Sequence, residues 1–454
     1  MTKVLFSNFP FWEKVGDEPL RRGVRAGSRW PMTIQAEYAP DNFRFGVYLP
    51  APIFMASAAG WLKNSAPELE VTLRDSIARG ESYASYGEWL EGYAPDWIVL
   101  ETATSSWDHD RRALGHIKKL LPQVQFIIAG TIAVDPERSA EAASLDGVAA
   151  VVKGEYEKGC VRVIVGGERG VIAHDFLSEA EMNGPLARWP LWDEGAAKHY
   201  YDANPKGTKP LQLQMWASRG CVYKCQFCAW PAGMTNNDPD GSHKRIMRFY
   251  SEDYIYDYIL ERQRVLGTLG CVYFDGDSEN MGDKQTKAIA RAMARLRIPF
   301  SMMCRADTCS EEAWKALKDA GCFGVKIGFE SGSQRVIDQV VNKRLNLKKA
   351  AETARWLRSI GIAVHGTFMI GLPGEKPEES EETKAFIETL YRTGALDTHQ
   401  LSGTATLSGT PLANLKVGET NKVYPGMVKD ETWQDSPDGQ RKIEKITREI
   451  QLVK

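Results

Sequence analysis

The sequence predicts an α/β protein in two parts, a doubly wound Rossmann-like domain followed by a partial six-fold strand–helix barrel. Two observations carry this. Over the first 175 residues, short apolar runs alternate with stretches of helical spacing, the mark of a parallel sheet with crossover helices. From Leu211 a second alternation begins, with longer units. Between them, residues 176–210 hold Asn183-Gly-Pro, Trp189-Pro and Asn204-Pro-Lys-Gly with little periodicity, which reads as a linker. The expected boundaries are 1–175, 176–210, 211–412 and a short C-terminal segment, 413–454.

In the first domain the apolar runs at 4–7, 70–73, 97–102, 126–129 and 148–152 are expected strands, with helical spacing at 54–62 and 110–121. A sheet of this kind places its ligand site at the carboxyl ends of the strands. In the second domain strands are expected at 211–217, 271–275, 300–304, 324–329, 363–370 and 399–407. Helices fit 251–265, 283–296, 311–320, 334–341, 347–360 and 377–393. Strand–helix repeats in this number suggest a complete or partial barrel, whose site lies on the strand ends facing the loops.

Lys plus Arg number 57 and Asp plus Glu 59 in 454 residues, a formal charge of -2. That balance gives no broad basic footprint for nucleic acid. Hydrophobic residues at 43% and aromatics at 10% exclude disorder as the main state. The N-terminal apolar run is too short for a signal peptide, and nothing approaches the length of a spanning helix. A cytoplasmic protein without membrane partners is expected, its eight cysteines reduced rather than paired.

Three of those cysteines stand together in Cys221-Val-Tyr-Lys-Cys225-Gln-Phe-Cys228, directly after the first barrel strand and Ser218-Arg-Gly. Closely spaced thiolates can wrap one iron–sulfur cluster from a single loop. Three thiolates on a four-iron cluster leave one iron for a substrate or cofactor. A Cys3His zinc site using His243, 15 residues past Cys228, is the structural alternative, and three core cysteines the plainest one.

The spacing Cys-x3-Cys-x2-Cys with Phe227 before the last cysteine resembles the signature of the radical S-adenosylmethionine (SAM) enzymes. Further segments match in order. Val272-Tyr-Phe-Asp-Gly-Asp-Ser-Glu-Asn resembles the second-strand motif that receives the methionine amino group, with Asp275-Gly-Asp277 where Gly-Gly-Glu is common. Gly328-Phe-Glu-Ser-Gly-Ser resembles the fourth-strand segment whose carboxylate, here Glu330, approaches the ribose, and the run from Gly366 to Glu375 resembles the stretch near the adenine. The resemblance implies cluster ligation by Cys221, Cys225 and Cys228. It implies SAM positioning by Phe227, Asp275, Asp277, Arg305 and Glu330. On local chemistry alone the two aspartates and Glu330 could instead cap backbone, and Arg305 could form an ordinary ion pair.

The first domain has no Gly-x-Gly-x-x-Gly after its first strand, where Ser7-Asn-Phe-Pro-Phe-Trp12 stands instead. A dinucleotide site is therefore not expected. The layout resembles the cobalamin-binding domain that precedes the barrel in one radical SAM subgroup. The matching pieces are 94–101, the Thr104-Ser-Ser turn, Ala129-Gly-Thr and Val152-Lys-Gly-Glu-Tyr-Glu157. Ser105, Ser106, Gly130, Thr131, Gly154, Glu155 and Tyr156 would then line cobalamin. No Asp-x-His-x-x-Gly occurs, and His109 in Asp108-His-Asp reads as a solvated residue at a helix start.

Together the resemblances imply a cobalamin-dependent radical SAM methyltransferase of the kind called class B. Its cofactors would be a 4Fe-4S cluster, SAM and cobalamin. It would methylate an unactivated carbon or, as the lesser case, phosphorus. An unactivated C–H offers no proton a general base can remove, whereas cofactors carry radical chemistry. The implied partners are a small-molecule or peptide substrate and an electron donor such as flavodoxin or ferredoxin. Two rival readings use the same motifs: a rearrangement or cyclisation without methyl transfer, and a radical SAM enzyme that does not use cobalamin.

Overall fold

The computed structural model describes residues 1–15, 18–23, 32–35, 48–104, 106–228, 247–404 and 410–414. By its contacts the chain divides into two compact units. The first comprises Met1–Ala203, Pro210–Met215 and Ala229–Leu269; the second comprises Asn204–Lys209, Trp216–Cys228 and Gly270–Lys454.

In the first unit the strands Lys3–Asn8, Glu70–Asp75, Trp97–Thr102, Gln125–Gly130, Val148–Val152 and Gly170–Ile172 form one parallel sheet. Counting in sequence, the spatial order is 2-1-3-4-5-6. The order reverses between the first and third strands, and in such sheets ligands bind at that switch point. The expected strands are all present. The sixth, Gly170–Ile172, went unread because only three residues separate Gly-rich sequence from a polar run. A three-stranded antiparallel sheet, Trp12–Val15, Glu18–Gly23 and Met32–Gln35, also went unread. Its strands lack the apolar alternation that marks a half-buried sheet.

Helix Ile53–Ser65 covers one face of this sheet and buries nine side chains or glycine positions. The expected linker is structured here. Leu191 N–H donates to Ala56 O at 2.8 Å, and a side chain at Gly60 would meet the backbone of Trp189 and Leu191. Trp192 and Asp193 are buried. Asp193 accepts two 2.6 Å bonds from Arg79 and one of 2.9 Å from Asp75 N–H. Helix Glu252–Leu266, capped by Ser251, is held in the same unit by Trp192 Nε1 on Tyr258 Oη (2.7 Å) and by Arg262 on Glu194 (2.7 and 2.8 Å). Strand Gln212–Met215 opens the six-stranded barrel sheet as expected and counts as its first strand, although by contacts it clusters with this unit, where Gln214 Oε1 accepts from Ala51 N–H at 2.6 Å.

The second unit runs strand–helix in sequence. Strands Cys271–Phe274, Phe300–Cys304, Cys322–Glu330, Ala363–Ile370 and Thr398–Gly403 pair in parallel in chain order, the alternation of a partial barrel. Helices Asp283–Leu296, Glu311–Asp319, Leu347–Ser359 and Pro377–Arg392 cover it. The helix expected at 334–341 is instead a π-helical turn, Val336–Val340. The segment from 413 onward is not described beyond the short turn Pro411–Asn414.

Candidate functional site

The cysteine loop leaves the short strand Ser218–Arg219 through Gly220, whose φ of 95° suits glycine. Cys221, Cys225 and Cys228 are all partly exposed. Burial pushes the Cys221 thiol up to about 12, and negative charge on Asp277, Cys225 and Cys228 adds to the shift. The three thiols and Asp277 thus share one electrostatic neighbourhood. Among the described residues no three His, Cys, Asp or Glu stand posed around a single ion. A donor set of three thiols in eight residues fits ligation of separate irons of a cluster.

The loop is pinned by backbone. Gln226 N–H donates to Val341 O at 2.9 Å, and Leu412 N–H donates to Gln226 O at 3.2 Å. Val341 ends the π-turn, its own N–H reaching back to Val336 O at 2.7 Å. Such a turn inside a helix is a recurrent functional device; here it aims one carbonyl at the loop. Cys225 and Phe227 pack against an apolar cluster of Val336, Val340, Val341, Met369, Leu372 and Leu412. Phe227, expected to position SAM, also anchors the loop.

Glu279 joins the start of this loop to the loop after the second strand. It is buried and accepts from Ala217 N–H (2.9 Å), Ser218 Oγ (2.9 Å) and Gly276 N–H (3.0 Å). Burial raises its carboxyl to about 8 despite those donors. Asp275 and Asp277 flank Gly276 and are half-buried. The sequence reading named those two aspartates and passed over Glu279, although it lies in the same quoted motif.

Arg305 follows the third strand and is buried. Its fork grips Asp307 (two bonds of 2.9 Å), and its guanidinium lies 3.6 Å from the ring centroid of Tyr223 in the cysteine loop. The expected fork to a methionine carboxylate is thus turned onto Asp307 in this structure. Glu330, at the end of the fourth strand, has φ of 67° and accepts from Lys343 Nζ at 2.7 Å. A side chain at Gly328 would strike both partners. Glycine at 328 is therefore what lets the carboxylate fold back. Beyond the fifth strand, Gly371 and Gly374 take φ of 76° and 89°. Glu375 closes that turn on Leu372 N–H and Ser380 Oγ, each at 2.9 Å, and burial raises it to about 7.

In the first unit the residues expected to line cobalamin sit at the strand carboxyl ends, but several are engaged locally. Ser106 Oγ lies 3.2 Å from Thr102 Oγ1 and accepts from Ala103 N–H at 3.2 Å. Glu155 is buried in a two-pronged ion pair with Arg248, which also donates to Leu177 O. Tyr156 donates to Glu101 Oε2 at 2.6 Å. Gly130, with φ of 96°, packs on the backbone of Thr102, and Gly154, with φ of 70°, packs on His174. Thr131 opens the turn Thr131–Val134. Ser105 lies outside the described residues. His109 is not simply solvated: it is largely buried, 3.2 Å from Tyr83 Oη and 3.1 Å from Asp110 Oδ1.

Two groups mark the switch point: Asn8, which sequence did not single out, and Glu101, quoted there only as part of a strand end. Asn8 ends the first strand and Glu101 lies near the end of its neighbour, the third. Asn8 Nδ2 and Glu101 Oε1 are buried without a hydrogen-bond partner among the described residues. Burial holds the Glu101 carboxyl up at about 8. Orphaned buried polar atoms are rare in native proteins, and these two, beside the bare backbone at Gly130, fit a polar ligand entering at the strand ends.

Residues 217–387 match the model of the Radical SAM superfamily, and this stretch of the chain is a radical SAM domain. An uncharacterized methyltransferase of Pyrococcus horikoshii is 25% identical over 356 residues, 75% of this chain and 73% of that one. The cytidylyl-2-hydroxyethylphosphonate methyltransferase of Streptomyces wedmorensis is 25% identical over 213 residues, 43% of this chain and 37% of that one. Among solved structures, the radical SAM methyltransferase TsrM of Kitasatospora setae, with tryptophan and a SAM analogue, superposes with a TM-score of 0.62 at 15% identity. It covers 92% of this chain and 76% of its own, and so shares the fold. TsrM has also been solved with cobalamin and a [4Fe-4S] cluster.

Proposed function

We propose that this chain is a cobalamin-dependent radical SAM methyltransferase that methylates an unactivated carbon. The observation that carries it is the three-cysteine loop, built into a radical SAM domain and tied by Val341 and Glu279 to the parts of that domain expected to hold SAM. With their cofactors bound, such sites supply an electron that cleaves SAM to methionine and a 5'-deoxyadenosyl radical, and a corrinoid methyl group for transfer. The methyl-transfer half of this reading draws on the named activities of the relatives and on the switch-point groups of the first unit.

In this reading Cys221, Cys225 and Cys228 hold the cluster. Asp275 and Asp277 receive the methionine amino group, Arg305 lies ready to exchange Asp307 for the methionine carboxylate, and Glu330 receives the ribose. Lys343 holds Glu330 fixed in direction. Asn8, Glu101, Gly130, Thr131 and Gly154 serve cobalamin, Glu101 as a neutral donor. Radical SAM enzymes need a reductant, and a flavodoxin or ferredoxin suits the role. No helix of the described residues is long and apolar enough to cross a membrane. A cytoplasmic setting suits the many thiols, since reducing compartments keep them unpaired.

The test is SAM turnover by anaerobic protein supplied with cobalamin and a strong reductant. Formation of both 5'-deoxyadenosine and S-adenosylhomocysteine supports the proposal. 5'-Deoxyadenosine alone points to radical chemistry without methyl transfer, and no cleavage of SAM overturns the reading.

A further inference from the structure

Residues 341–344 follow the π-turn and tie together three parts of the second unit that lie far apart in sequence. Val341 O accepts from Gln226 N–H at 2.9 Å, and Asn342 Nδ2 donates to Lys224 O at 3.3 Å. Both partners belong to the loop that carries Cys221, Cys225 and Cys228. Lys343 O accepts from Arg305 Nη2 at 3.2 Å, and Lys343 Nζ donates to Glu330 Oε1 at 2.7 Å. Arg305 follows the strand Phe300–Cys304, and Glu330 ends the strand Cys322–Glu330. Arg305 also closes the circuit, its guanidinium 3.6 Å from the ring centroid of Tyr223 in the cysteine loop.

The segment is stiff. Val341 N–H donates to Val336 O at 2.7 Å and Lys343 N–H to Ile337 O at 2.9 Å, so both are anchored on the π-turn. On either side of Lys343, Asn342 and Arg344 take φ of 53° and 54°. Non-glycine residues keep that conformation only where the surrounding structure over-determines it, and such positions cluster at ligand clamps and switch regions. Lys343, Glu330 and Arg305 are all buried. A buried ion pair is a poor device for stability alone, since apolar side chains of similar volume often serve as well. What this one secures is direction. A single residue meets Glu330 with its ammonium and Arg305 with its carbonyl, while its two predecessors hold the cysteine loop.

We propose that Lys343 is a positioning residue that couples the SAM site to the cysteine loop, through Glu330 and Arg305 on one side and through Val341 and Asn342 on the other. The proposal rests on the radical SAM reading and adds to it a path by which an occupied SAM site fixes the loop of the cluster ligands. A ribose at Glu330 and a methionine carboxylate at the Arg305 fork act on the same residue from its two ends. Coupling of this kind is reciprocal. Loosening residues 341–344 therefore weakens SAM binding even where the altered side chain touches neither Glu330 nor Arg305.

The test uses anaerobic full-length protein with its cluster reconstituted and reduced, reading SAM affinity by equilibrium dialysis and the cluster by its EPR signal without and with SAM. Lys343→Met is expected to keep the iron and sulfide content of the wild type, to bind SAM about tenfold more weakly, within the usual span of coupling, and to lose much of the change in signal that SAM produces. Asn342→Val, a β-branched residue unsuited to positive φ, is expected to weaken SAM binding in the same way. Asn342→Gly, which keeps the backbone conformation, is expected to weaken it less than Asn342→Val. Wild-type affinity and signal change in Lys343→Met, or equal behaviour of Asn342→Val and Asn342→Gly, overturns the proposal. Should Lys343→Met not fold, the two Asn342 variants decide. A wild type that binds SAM while all three variants match it sinks this proposal alone; a wild type that binds no SAM sinks the radical SAM reading and this proposal with it.

Discussion

Glu330 and Lys343 show how the site depends on single buried charges. Their 2.7 Å contact is largely shielded from water. Removing one partner of such a pair strands the other charge and typically costs about 3–5 kcal/mol. Lys343→Met should destabilise by that order in denaturant unfolding, with much of the loss recovered in the Glu330→Leu/Lys343→Met double variant. Comparable losses in both variants would show that packing, not charge, governs the position. The carboxylate could be read from Gly328-Phe-Glu-Ser, because a carboxylate ending a barrel strand is a recognisable pattern. Its partner could not. Lys343 reaches it only because Asn342 and Arg344 adopt φ of 53° and 54°, and left-handed non-glycine residues leave no mark in composition or period. Glu101 gives a second residue-scale prediction. Burial moves its folded-state pKa from 4.5 to about 8. The unfolded chain releases this proton first, so the stabilisation is complete below about pH 4.5 and is lost as pH rises through about 8. Glu101→Gln should therefore gain melting temperature relative to wild type between about pH 5 and about pH 8.5; parallel profiles would refute the assignment.

The elements were legible where local signals agreed. Strands Trp97–Thr102, Val148–Val152, Phe300–Cys304 and Ala363–Ile370 occupy the expected residues, because buried parallel strands are near-continuous apolar runs. Helices capped by Ser251, Ser310 and Asn346 begin where expected. The π-turn Val336–Val340 was not legible, since its i-to-i+5 bond is set by the loop it serves, through Val341 and Gln226. Nor was the order in 176–203, whose Pro- and Gly-rich sequence reads as a linker yet packs on helix Ile53–Ser65. That packing has a direct test. Gly60→Ala would push a methyl into the backbone of Trp189 and Leu191. Overpacking of this kind costs about 1–3 kcal/mol, and the loss should appear as faster proteolysis within 176–203. A variant as stable as wild type would show that the segment yields freely.

At the scale of the molecule, each unit carries a site at the carboxyl ends of its own strands, and each site is built from groups whose charge is managed by burial. In the second unit burial raises the Cys221 thiol, with negative charge on Asp277, Cys225 and Cys228 adding to the shift, and bound iron would reverse it. In the first, Glu101 Oε1 of a carboxyl held up by burial and Asn8 Nδ2 have no hydrogen-bond partner among the described residues at the switch point. The cysteine spacing, together with the order of motifs behind it, was enough to name candidate residues for the second site, though not Glu279. The first was read only as a set of strand ends. Of its named residues Ser106 and Glu155 are engaged in local contacts, while the pairing of Asn8 with Glu101 at one switch point became visible only once the strand order was known. The most direct test of the whole account is the metal, sulfide and corrinoid content of full-length protein purified without oxygen from cells supplied with cobalamin. The account predicts about four iron, about four sulfide and about one cobalt per chain, with iron and sulfide lost and cobalt retained in Cys225→Ala. Zinc in place of iron, persisting after attempted cluster reconstitution, would contradict it.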